Sequence, residues 1–301
     1  GTTMKFQETV FTIVACLLVI TLSMNVFASS KPSPDACIDL LKAGNARFVA
    51  GTSEHPNTTA ARLIQAGKEN QGDHAYATVI TCSDSRIPLE RVFDAGVMDI
   101  FVIRVAGNVL DVDEIGSVEY GIAHVNTPVF VILGHTQCGA VTAVTHAVHG
   151  KGHALERNIP PLVDNIQPAV QQAIAEHGTV HGDAIIPYAI EQNVYQGATD
   201  LFMQSPTARN MVRSGKLKVV GAIYDVGTGK INWLPESKIT QALVSVESNA
   251  DRAMNAMAGA DHGDSHGTTA STHVAAADSH GAAADSHGAG SGHAKAVVTA
   301  K

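Results

Sequence analysis

Cys82-Ser83-Asp84-Ser85-Arg86 and Gly134-His135-Thr136-Gln137-Cys138-Gly139 are the two stretches whose residue types and spacing could do chemistry. Together they offer two thiols and one imidazole, a ligand set that suits Zn²⁺. A structural zinc site closes its fourth position with another Cys or His, whereas a catalytic site leaves that position to water. Here the pattern stops at three soft ligands, with a carboxylate and a guanidinium following the first thiol. Zinc lowers the pKa of its bound water from about 16 toward about 7, which makes hydroxide available at neutral pH. Asp84 then has two roles open to it. It can accept the hydroxide's hydrogen bond while Arg86 keeps it ionised and aimed, or it can coordinate zinc itself and close the site.

Strand–helix alternation supplies the elements that must position these residues. Short β-branched runs predict strands over 76–81 (YATVIT), 99–105 (DIFVIRV), 128–133 (PVFVIL) and 217–224 (LKVVGAIY), with a final hairpin strand over 230–234. Helices are expected over 88–95, 116–125 and 139–148, and over 159–177 with a break near Pro168. A long N-terminal helix opens the domain, with Ser33 as N-cap, Pro34 in its first turn and Asp35 against the dipole. Ile38, Leu41, Phe48 and Val49 fall on or near its inner face. Apolar strands alternating with helices predict an α/β fold with a mostly parallel sheet flanked by helices. In such sheets ligands gather beyond the carboxyl ends of the strands. Cys82 and His135 each follow a strand, and the glycines at 134 and 139 permit tight turns there.

Length and composition bound the rest. The chain has 301 residues, 45% of them hydrophobic, and a net charge of -8. No basic excess is available to neutralise phosphates, which argues against nucleic acid as a partner. Residues 1–28 read as a secretory signal peptide: Lys5, an apolar run over 10–22, and the small-residue pattern Val26-Phe27-Ala28 with cleavage after Ala28. Gly1 to Thr3 precede the first Met and read as an added leader or a mis-assigned start. The run over 13–16 resembles a lipoprotein box at Cys16, but apolar residues continue past it. It falls short of the roughly 20 apolar residues that a span needs, so no stable membrane span is expected in the mature form. Export predicts a periplasmic protein, or a secreted one if the source has no outer membrane.

The folded domain is expected over 34–240. Residues 250–301 are rich in Ala, Gly, Ser and His and predict a disordered tail. The tail holds His262, His266, His273, His280, His287 and His293, which offer either a secondary metal site or a soluble spacer. Among the cysteines, Cys37 reads as a small hydrophobe on a helix face. His146, His149 and His153 are spaced to share one helix face, as a solvated face or a second metal site.

The four motifs CSDSRIP (82–88), RVAGN (104–108), GSVEY (116–120) and GHTQCGA (134–140) closely resemble the β-class carbonic anhydrases. LLKAGNARFVAG (40–51) and KLKVVGAIYDVGTGKI (216–231) extend the resemblance to essentially the whole folded region. It implies Cys82, His135 and Cys138 as ligands of one Zn²⁺ per subunit, with Asp84 and Arg86 as the orienting pair. It implies reversible hydration of CO₂ to bicarbonate and a proton by zinc-bound hydroxide. It also implies a homodimer, or a tetramer or larger assembly, with sites near the subunit interface. Phe101, Ala106 and Tyr120 match positions that line the family's small substrate pocket. Asp73 stands where many members have Gln, with Gln71 nearby, and Val79 stands where regulated members have Trp. Two rivals share the ligand residues or the tail: hydrolysis of a CO₂ analogue such as CS₂ or COS, and zinc buffering by the histidine-rich segment.

Overall fold

Helix α1 (Pro34–Ala50) begins as its residues dictate, with Ser33 Oγ accepting the Ala36 N–H at 3.3 Å, and it ends at Gly51 in the left-handed region. The computed structural model describes residues 31–254, so the segment expected to be a signal peptide and the six tail histidines lie outside the described residues. Cys37, Ile38 and Leu41 are buried in α1 and Phe48 packs on the same core. Val49 is instead 47% exposed, in the last turn of the helix, although it lies about 20° round from the buried Ile38. Burial pushes the Cys37 thiol up to about 11, as for a small core hydrophobe. A Cβ on Gly44 would stand 1.8 Å from the Phe93 carbonyl oxygen, so α1 lies backbone to backbone against the core.

After α2 (Ala60–Ala66), strands β1 (Ala77–Thr81), β2 (Ile100–Arg104), β3 (Val129–His135), β4 (Lys218–Tyr224) and β5 (Ile231–Trp233) form one sheet. Its order is β2-β1-β3-β4-β5, parallel except for the β4–β5 hairpin. Every residue of β1 and β3 is buried, as a parallel sheet covered on both faces requires. Alternate residues feed opposite sides: Val79, Val131 and Leu133 join one core, and Ile80, Phe130 and Ile132 the other.

The helices depart from expectation where capping or burial overrides pattern. Helix α3 (Leu89–Val92) is a single turn, because Asp94 leaves it at φ 46 with its carboxylate buried. That carboxylate accepts the N–H groups of Glu54 and His55 at 2.9 Å and Arg47 Nε at 2.6 Å, pinning the loop after α1. Helix α4 (Val112–Glu119) starts four residues before the expected Gly116, because Asp111 and Glu114 form a capping box. A π turn over Tyr120–His124 continues it. Helix α5 (Gly139–Val148) matches expectation, and the long stretch divides into α6 (Ile159–Asp164) and α7 (Gln167–Glu176) beside Pro168. Helices α8 (Ile186–Gln204) and α9 (Pro206–Arg213) were not expected, and α10 (Glu236–Glu247) carries the fold past residue 240. No helix among the described residues is long and apolar enough to cross a membrane.

Asp200 on α8 has its carboxyl pushed up to about 6, first by burial and further by the charge of Asp111. The native state therefore holds this proton more tightly than the unfolded chain. The contribution of Asp200 to stability is expected to fall as pH rises from about 4 to about 6, by on the order of 2 kcal/mol. Urea unfolding across that range should show Asp200→Asn free of this loss and more stable than the wild type above pH 6. Equal pH slopes in the two proteins would contradict the assignment.

Candidate metal centre and active site

The sheet order reverses at β1, which runs to β2 on one side and to β3 on the other. A crevice opens beyond the carboxyl ends of strands at such a switch point. Cys82 leaves β1 into it, His135 is the last residue of β3, and Cys138 is the N-cap residue of α5. Their ligand atoms all lie within 4.8 Å of one another, and among the described residues no other group of this kind is found. All three side chains are buried: Cys82 at 6% exposure, Cys138 at 1% and His135 at 0%.

Each donor is prepared by its surroundings. His135 Nδ1 lies 3.0 Å from the Thr136 carbonyl, which only accepts, so the proton sits on Nδ1 and Nε2 carries a bare lone pair. Nε2 is buried without a hydrogen-bond partner, an arrangement that costs free energy unless a metal takes the lone pair. The Cys82 thiol is pushed down, first by a hydrogen bond from Cys138 and then, against its burial, by the backbone N–H groups of Gly107 and Asp84. The same contact pushes the Cys138 thiol up, while the N–H groups of Val141 and Ala140 at the start of α5 oppose this. Two sulfurs and one imidazole whose Nε2 is orphaned and buried, converging at one point, fit Zn²⁺.

Asp84 stands outside this cluster. Its Oδ1 accepts the Arg86 backbone N–H and Nε, both at 2.9 Å, and Oδ2 accepts Nη2 at 2.7 Å. These charge-assisted bonds hold the Asp84 carboxyl well below the usual carboxylate range. The two oxygens offer about four acceptor sites, so one on Oδ2 stays open. Arg86 also donates to the Gln137 carbonyl at 3.1 Å and to Gln137 Oε1 at 3.3 Å, joining the two motifs. Gln137 adopts φ 59, a left-handed turn that brings Cys138 back toward Cys82. Arg104 donates to the carbonyls of Cys82 (3.1 Å) and Asp84 (2.8 Å), clamping the first motif from β2. Thr136 ties the second motif to β4 by its N–H to Tyr224 at 2.9 Å.

Ala106 opens the turn over Ala106–Asn108, in which Gly107 N–H reaches Cys82 Sγ at 3.2 Å. Phe101 lies three residues before the end of β2, about 10 Å along the strand. Its ring packs 5.9 Å from that of Tyr120, which is 52% exposed and stacks on His124. The structure thus brings Ala106 to the ligands and sets Phe101 and Tyr120 apart from them along the edge strand. Gln71 and Asp73 form a turn at the amino end of β1, opposite Cys82. The shared face expected for His146, His149 and His153 does not form. Helix α5 stops at Val148, His149 is its C-cap, and Gly150 turns the chain at φ 72. His146 pairs with Asp183 at 3.0 Å. Sequence reasoning missed Gln137, the clamping role of Arg104 and the contribution of α8. For Gln137 the available signal was its place between two ligands in a tight turn.

Residues 77–231 match the family model described as carbonic anhydrase. The chain is 32% identical over 198 residues to carbonic anhydrase 2 of Mycobacterium tuberculosis, covering 66% of this chain and 91% of that protein. It is likewise 32% identical over 199 residues to a carbonic anhydrase of Mycolicibacterium smegmatis, covering 66% and 92% of the two chains. Among solved structures, a β-carbonic anhydrase of Aspergillus fumigatus superposes with a TM-score of 0.51 at 28% identity, covering 69% of this chain and 97% of that one.

Removing one ligand should empty the centre without unfolding the sheet. Zinc bound per chain, by elemental analysis after dialysis, is expected to fall from about one to below about 0.1 in Cys138→Ser, since that removes one of only three protein donors. Full zinc content in that variant would overturn the ligand assignment.

Proposed function

The chain belongs to the β-class carbonic anhydrases, and on that premise we propose that it holds one Zn²⁺ per subunit on Cys82, His135 and Cys138 and interconverts CO₂ and bicarbonate there. The observation that carries this reading is the separation of roles in the crevice: three buried ligands converge, while Arg86 holds Asp84 away from them. Bound zinc supplies a Lewis acid that makes a coordinated water nucleophilic near neutral pH.

The chain's own residues do the rest. Asp84 Oδ2 has one acceptor site left and takes a hydrogen bond from the attacking water, which fixes the direction of its lone pair. Arg86 occupies the other acceptor sites, so Asp84 stays ionised and cannot swing. Arg104 holds the carbonyl of Asp84 itself, so the carboxylate starts from a fixed backbone. Ala106 precedes Gly107, whose N–H reaches Cys82 Sγ, so a small apolar residue stands in the turn next to the centre. Asp84 and Arg86 are 18% and 44% exposed, so this side is the route for water, bicarbonate and protons.

The proposal includes self-association. β2 is an edge strand whose Ile100, Phe101 and Val102 are only half-buried. An apolar edge of this kind favours pairing with another chain. The exposed Tyr120 beside Phe101 extends this apolar edge, and β-carbonic anhydrases of the same fold from Sordaria macrospora are described as tetrameric.

Stopped-flow CO₂ hydration by the zinc-loaded protein tests the reading. Asp84→Asn is expected to keep its zinc and lose activity on the order of 100-fold, since the amide offers a donor where an acceptor is needed. Full activity in Asp84→Asn would remove Asp84 from the mechanism, and a zinc-loaded wild type that hydrates no CO₂ would sink the function.

A further inference from the structure

Asn193 sits on α8, outside both ligand motifs, between the buried residues Ala189, Ile190 and Val194. It is 4% exposed. An amide on a helix face packed against β3 and β4 is costly unless its polar atoms are bonded. Asn193 Nδ2 donates to the Gly107 carbonyl at 2.8 Å. Gly107 in turn donates its N–H to Cys82 Sγ at 3.2 Å. We infer that Asn193 is a positioning residue for the metal centre: it fixes the Gly107 turn so that this N–H points at the Cys82 sulfur.

The turn closes on itself through the Asn108 N–H, which donates to the Val105 carbonyl at 3.0 Å, and Asn193 anchors it to α8. Gly107 takes φ 76, which a side chain would strain, and a Cβ there would meet Ile166 Cδ1 at 2.7 Å and Ala140 Cβ at 3.1 Å. These apolar atoms set the depth of the turn. The Gly107–Asn108 peptide plane is held on its N–H side by the Val105 carbonyl and on its carbonyl side by Asn193, the hold that comes from another element. An N–H aimed at a ligand sulfur draws charge from it and locks its rotamer, and outer partners of this kind typically change metal affinity 10–100-fold.

Two substitutions separate positioning from mere support of the fold. Asn193→Asp, assayed above the pKa of its carboxyl so that it is ionised, keeps the shape and removes the donor, and Asn193→Leu fills the same space without polarity. The readouts are the rate at which the zinc-loaded protein yields its metal to excess EDTA, and the thiolate-to-metal absorption of the cobalt-substituted protein. Zinc release about tenfold or more faster, with a displaced thiolate band, is expected in both. A lowered unfolding midpoint with release and absorption as in the wild type would overturn the inference. Should Asn193→Leu not fold, the near-isosteric Asn193→Asp decides. In the ¹¹³Cd-substituted wild type, scalar coupling between the metal and the Gly107 amide proton is expected, and its absence would also overturn the inference. The inference rests on Cys82, His135 and Cys138 binding zinc: a wild type that takes up no metal overturns both readings, whereas unchanged release overturns only this one.

Discussion

Thr81 pairs with Leu133 in the parallel ladder between β1 and β3, so Cys82 leaves β1 beside Gly134 and His135, which end β3 still paired with β4. A slip of one residue would turn Cys82 to the other face of the sheet and part it from His135. The register is held because both strands are buried on both faces and each position fits one core. The Thr81 hydroxyl also donates to the Leu133 carbonyl at 3.1 Å, at the last step before the ligands. Packing of the sheet therefore decides whether three ligands meet at all.

A second layer turns convergence into a defined site. The motif loops carry carbonyls and a carboxylate that would be free to move at the crevice mouth. Arg86 joins Asp84 to Gln137 across the two motifs, and Arg104 reaches from β2 to the carbonyls of Cys82 and Asp84. Arginine suits both tasks because its planar fork engages two acceptors at once. The outcome is a buried triad of soft donors beside a carboxylate that is ionised, aimed and kept from closing the centre.

The strands and the ligand motifs were legible because short β-branched runs end at turns rich in glycine and polar residues. Positions 76–81, 128–133 and 217–224 differ from the observed strands only at their ends. Helix α5 was legible for the same reason, since it starts at Gly139 directly after a ligand. Helix α4 was misplaced because the signal was the capping pair Asp111 and Glu114, not the later apolar spacing. Helix α8 escaped because Asn193 and Gly197 interrupt its apolar face, and both are buried for reasons of contact. Gly197 lets Leu110 approach, where a Cβ would stand 2.8 Å away, and Asn193 serves the Gly107 turn. Such residues look like breaks in a pattern until the element they face is known.

X-ray absorption at the zinc edge of the purified protein reads the central claim most directly, because it counts the donors on the metal without relying on turnover. Two sulfurs at about 2.3 Å and one imidazole nitrogen at about 2.0–2.1 Å are expected, with a single light oxygen donor completing four. A sulfur-free shell, as a tail of histidines would give, or a shell of four protein ligands with two carboxylate oxygens, would contradict the account.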